Sequence, residues 1–116
     1  YPYIFNCGTG VYISSYSRPK ITEARIDSTS WAFWVTPQAQ PDIGKTETDM
    51  GNCDVTNSSL KHVRADTRLS STPNIDALYD WWGTSTSGDI SAKMSGGVNW
   101  DPFLSSDPNN TLSHPV

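Results

Sequence analysis

The sequence predicts an all-β chain in which short parallel strands wind through about three coils and end in an aromatic cap carrying one short helix. Three observations predict it. Short alternating apolar triplets bounded by turn residues recur up to Ile75, whereas a helical period appears nowhere before Asp89. An offset of 22 residues lays Val11-Tyr12-Ile13 on Phe33-Trp34-Val35, Pro19-Lys20-Ile21 on Pro41-Asp42-Ile43, and Ile4 on Ile26. The densest apolar segment lies near the end and holds three of the five Trp. A surface covered by such large aromatics would otherwise face water, so this segment reads as a lid.

In order along the chain, Tyr1-Pro2-Tyr3-Ile4-Phe5-Asn6-Cys7 is an apolar, β-prone entry into the first coil. The triplet at Val11 follows. Ala24-Arg25-Ile26 and Phe33-Trp34-Val35 form the second coil. An insertion around 44–50 precedes Gly51-Asn52-Cys53-Asp54-Val55, which corresponds to Ala24-Arg25-Ile26. Leu60-Lys61-His62-Val63-Arg64-Ala65 supplies the third coil, with Val63 and Ala65 inward. The P-x-I element returns as Pro73-Asn74-Ile75, predicting one interior column of Ile4, Ile26 and Val55 and another of Ile21, Ile43 and Ile75.

The cap comprises the strand Ile75-Asp76-Ala77, the turn Trp81-Trp82-Gly83, a helix and a closing strand Val98-Asn99-Trp100-Asp101-Pro102-Phe103-Leu104. Ser87-Gly88-Asp89 offers the helix N-cap, Ile90 and Met94 share one face, and Gly96-Gly97 ends the helix. This pattern resembles the C-terminal cap of right-handed parallel β-helix proteins, the family that includes periplasmic and cell-surface solenoids of the nitrous-oxide-reductase accessory type. The resemblance implies a short right-handed parallel β-helix over 1–74, a capping element over 75–104 and an extended tail over 105–116. Trp81, Trp82, Gly83, Ile90, Met94, Trp100 and Phe103 are the expected cap residues.

Composition narrows the function. A net charge of −4, with eight Lys and Arg scattered singly, argues against a nucleic-acid partner. No apolar run approaches the roughly 20 residues of a membrane-spanning helix. Abundant Ser, Thr, Asn, Gly and Pro with 17% charged residues points to an extracellular or cell-surface protein, the periplasm included. Asn57-Ser58-Ser59 and Asn109-Asn110-Thr111 are candidate N-glycosylation sites at Asn57 and Asn109.

Alternation turns Tyr12 and Trp34 outward on adjacent coils, one above the other, with Trp31 in or near a turn beside them. They form a candidate contact patch. Its first reading is ordinary packing between coils or against a neighbouring subunit; its second is a stacking platform for carbohydrate.

The parallel β-helix architecture includes many polysaccharide lyases and hydrolases, which cluster acids along a groove. Here the twelve acids are scattered, no G-x-S-x-G elbow occurs, and His62 and His114 stand alone. Asp49, Asn52 and Asp54 fit no calcium loop. No catalytic residue, metal site or cofactor is therefore expected. The offsets of Cys7 and Cys53 within the repeat predict that no bond joins them within the chain; they read as small buried residues or as an interchain bond.

The expectation is a non-enzymatic structural or adhesive module, with a carbohydrate-binding or polysaccharide-cleaving module as the alternative. A solenoid must close both ends. The first strand carries no capping helix, so the chain either continues upstream or docks on another subunit through Tyr3, Ile4 and Phe5 or the tail 111–116. Docking of unlike ends propagates, which makes a head-to-tail, fibre-forming subunit the expected assembly.

Overall fold

Short strands separated by turn residues are what the alternating triplets produce. A computed structural model of the chain describes residues 3–46, 48–68 and 73–106. The strands β1 (Tyr3–Phe5), β2 (Thr9–Ile13), β3 (Arg25–Asp27), β4 (Trp31–Val35), β5 (Asp54–Thr56), β6 (Lys61–Ala65) and β7 (Ile75–Asp76) precede helix α1 (Ser87–Ala92) and strand β8 (Val98–Asn99). The described protein is thus mostly strand, with one short helix.

Three small sheets result, in the orders β1-β3-β5, β2-β4-β6 and β7-β8, and every pairing between named strands is parallel. Isolated parallel bridges extend each sheet. Asp54 meets Trp81, Val63 meets Met94, and Lys20, Asp42 and Asp76 line up beside β8. The insertion after Ile43 makes a tight excursion, closed by an antiparallel bridge between Thr46 and Asp49.

The register follows the predicted columns closely in two sheets. Ile4 pairs with Ile26 and Ile26 with Val55; Val11 pairs with Phe33 and Phe33 with Val63. Ile26, Phe33, Val55 and Val63 are all fully buried. The third column differs from expectation. Because Asp42 pairs with Asp76, Ile43 lies beside Ala77, and Ile75 lies beside Pro41. A shift of two residues preserves which side chains face inward, so Ile75 and Ala77 are both buried and apolar patterning could not choose between the registers.

What chooses is a close approach of backbones. At Gly51, an added Cβ would lie 2.0 Å from Asp80 Oδ1 and 2.1 Å from the Ile43 carbonyl oxygen. At Gly44, with φ of +121°, it would lie 2.0 Å from the Leu78 carbonyl oxygen. The two glycines let the 78–80 segment pack directly on the base of the insertion. Gly51 and Asn52 then donate their N–H groups to the carbonyls of Leu78 and Tyr79.

Strict alternation also fails once, in β4. Ala32 and Phe33 are adjacent and both fully buried, so the strand turns a corner there, and Trp31 and Trp34 emerge on the same outer side, 5.5 Å apart. Trp31 is the first residue of β4, directly after the bend at 28–30.

One continuous apolar cluster runs from Ile13 and Ile26 to Trp82, Ile90 and Met94, with Trp100 and Phe103 packed against it. Helix α1 starts earlier than its sequence predicts. Its N-cap is Thr86, with no side-chain cap hydrogen bond, and it stops at Ala92 with Lys93 as C-cap, before Gly96 and Gly97. Burial of Ile90 holds this short helix in place of capping.

Candidate functional site

Two surfaces gather the residues singled out above. The first is the outer face of the β2-β4-β6 sheet, where Tyr12 pairs with Trp34 and Trp34 with Arg64. Tyr12 is exposed, and its ring meets Trp34 edge-on at 5.2 Å and 78°, so the two do not lie flat on one another. Arg64 covers what the tryptophans leave. Its guanidinium carbon stands 3.8 Å from the Trp34 ring centre and 4.7 Å from that of Trp31. Asp66 completes the group, 3.7 Å from Arg64 Nε and accepting from Trp34 Nε1 at 3.3 Å.

This arrangement decides what the face can do. A pyranose stacks on a bare ring face, but here the cation occupies the Trp34 face and leaves only Tyr12 open. The face is a plate of rings joined by charge. Arg64 was missed in the sequence, although Lys61–Ala65 aligned on Trp31–Val35 sets it in the outward position of Trp34.

The second surface is the edge made by β1. It pairs only with β3 among the described strands, while β2 likewise pairs only with β4. Tyr3 and Phe5 point outward at 48% and 52% exposure and stack on each other at 4.8 Å, whereas Ile4 turns inward against the core. Arg25 lies over Tyr3 at 4.7 Å and approaches Asp54 at 3.8 Å. Tyr3, Arg25 and Asp54 thus form one ring-and-charge column across β1, β3 and β5, with Asp54 at its buried end.

The residues expected in the cap lie at the chain's last pairings. Trp82 is 1% exposed and lies edge-on to Phe33 at 6.5 Å. Trp81 joins by its backbone, donating to the Cys53 carbonyl and accepting from the Val55 N–H, so it extends a sheet as well as covering one. Gly83 makes the turn at φ of +83°. Trp100 and Phe103 meet at 5.9 Å over the last pairing.

Of the candidate glycosylation sites, Asn57 is exposed in a turn at φ of +56°, with Nδ2 donating to Asp27 Oδ1 at 2.9 Å; that bond holds the Asp27 carboxyl below its ordinary range. Asn109 and the tail 111–116 lie outside the described residues. Cys7 and Cys53 are free thiols. Cys7 is exposed, contrary to its reading as a small buried residue, because β1 ends before it and it sits on the surface turn, bonded to the Phe5 carbonyl. Cys53 is buried, which pushes its thiol up.

Asp80 lies just before the Trp81-Trp82-Gly83 turn. It is fully buried and accepts the Cys53 N–H at 2.9 Å; desolvation raises its pKa above the ordinary value, with Asp42 adding to the shift. Among the described residues no three His, Cys, Asp or Glu are placed to hold a metal ion, and no helix is long and apolar enough to cross a membrane. No family model, curated protein or solved structure matches this chain.

Proposed function

We propose that the chain is a non-enzymatic structural module, a short right-handed parallel β-helix of the extracellular or cell-surface solenoid type, that associates with further copies head to tail through its β1 edge. The carrying observation is the difference between its ends. At one end Trp82, Ile90 and Met94 are buried over the last pairings; at the other, β1 has a pairing partner on one side only among the described residues and carries two exposed, stacked rings. An edge of this kind accepts a strand from another chain.

The winding is inferred from the pairings. Three parallel columns built from successive passes of one chain require it to return to each face in turn, and parallel crossovers take the right-handed path. A non-enzymatic role is supported by where the charges go. Asp27 serves Asn57, Asp49 serves Lys20, Asp54 serves Arg25, and Asp66 serves Trp34 and Arg64, so these acids hold the framework. Adhesion to carbohydrate through the Tyr12 face is the weaker reading, since Arg64 already occupies the Trp34 ring.

Light scattering across a concentration series tests this. The wild type should grow in mass with concentration, through a linear series of sizes, and Phe5→Lys should stay monomeric because a charge on an edge strand blocks strand addition. A wild type that remains monomeric throughout, or that stops at a dimer, overturns the head-to-tail assembly.

A further inference from the structure

Between α1 and the turn that joins β5 to β6 the surface opens into a cleft of about 360 Å³. Its walls include Trp82, His62, Thr84, Asp89 and Lys93, with Asn57 at the rim. The rings of Trp82 and His62 lie 5.5 Å apart and supply its apolar surface. His62 is pinned from behind: it is buried, and its Nδ1 is 3.1 Å from Ser58 Oγ. Lys93 is anchored by a bond from Nζ to the Ser58 carbonyl. One polar group here is left over. The Trp82 indole N–H is buried and has no partner among the described residues, whereas buried indole N–H groups ordinarily find an acceptor.

We propose that this cleft binds a small neutral polyhydroxy ligand, a single sugar residue, whose hydroxyls meet Asp89, Lys93 and Thr84 beside the buried indole of Trp82. Size places it there, since the volume lies at the small end of the range for ligand pockets, roughly 300–1,000 Å³. Charge selects it too. The carboxylate of Asp89 offsets the ammonium of Lys93, and burial keeps the imidazole uncharged down to about pH 4, so an anion or a cation meets walls of no net charge. An apolar ligand would strip water from both charged groups without replacing their hydrogen bonds. A polyol both donates and accepts, and so serves all of them.

The assignment rests on the cleft alone and is independent of assembly through β1. The test is a titration of the full chain with glucose, N-acetylglucosamine and sorbitol, followed by the indole N–H resonance of Trp82 in a nitrogen-edited NMR spectrum. At least one should give a saturable shift with Kd on the order of 1 mM. Ala92→Trp, which fills the cleft from the exposed side of α1, should weaken binding at least about tenfold, and Asp89→Asn should weaken it several-fold while leaving the fold intact. No saturable shift with any of the three, unchanged binding in both variants, or tighter binding of inorganic phosphate or of indole would overturn the proposal.

Discussion

The two ends of this molecule are built from similar residues and put to opposite use. At the first strand, Tyr3 and Phe5 stack on each other and face water. At the last pairings, Trp82 faces Phe33 and His62 and is buried. The difference lies in what the chain does next. After β1 it moves on to β2, and no other described strand pairs along the edge of β1, whereas after β7 it folds Trp82, α1 and β8 back over the pairings already made. Aromatic content alone therefore says little about closure; the chain's return path decides whether a ring becomes core or contact surface.

Breaking the closed end should have the largest effect. Trp82→Ala removes a side chain packed between Phe33 and His62 and should cost about 3–5 kcal/mol in denaturant unfolding, while Phe5→Ala at the open end should stay within roughly 0.5 kcal/mol for dilute protein. Equal costs would erase the contrast.

The pH dependence of the closed end should be nearly as large and has two opposing parts. Burial beside Lys93 lowers the His62 pKa from its ordinary value of 6.5 to about 4, so its neutral form is the one the fold accepts. The stability it contributes is complete above about pH 6.5 and is lost as pH falls toward 4, on the order of 3 kcal/mol in all. Asp80 runs the other way. Its raised pKa means that its contribution is complete below the unfolded value of about 3.9 and is lost as pH rises through the folded value. Asp80→Asn keeps the acceptor for the Cys53 N–H and removes the charge, so it should stabilise the protein at neutral pH and expose the His62 trend as an uncompensated loss below pH 6.5. An unfolding profile that does not change between the wild type and Asp80→Asn would show that the buried carboxyl carries no such load.

Gly51→Ala should come next, at about 1–3 kcal/mol, because its Cβ would meet Asp80 Oδ1 and the Ile43 carbonyl at contact distances no side chain tolerates. Thermal unfolding measures it. A neutral substitution would mean that the 78–80 segment does not close on the insertion.

These residues also show where the sequence could be read and where it could not. The columns through Ile4, Ile26 and Val55 were legible because apolar identity, alternation and a constant offset agree there. Val11, Phe33 and Val63 were legible for the same reason. The position of Ile75 was not, since a two-residue slip keeps its face and only the fit of Gly44 and Gly51 against Leu78 and Asp80 resolves it. The outward placement of Tyr12 and Trp34 followed from alternation, but Arg64 over both tryptophans depends on the path of a long flexible side chain. The burial of Ala32 needed a corner in β4 that nothing in a five-residue apolar run announces. The cleft beside α1 was invisible because its walls come from the β5–β6 turn, Trp82 and the helix, which are far apart in the sequence.

Amide hydrogen exchange across a concentration series probes the contrast between the ends most directly. If β1 is an open edge that receives another copy, protection at Tyr3–Phe5 should rise with protein concentration while protection around Trp81, Trp82 and Met94 is already high and does not change. Protection at β1 that is independent of concentration, or a rise confined to the cap, would contradict the account.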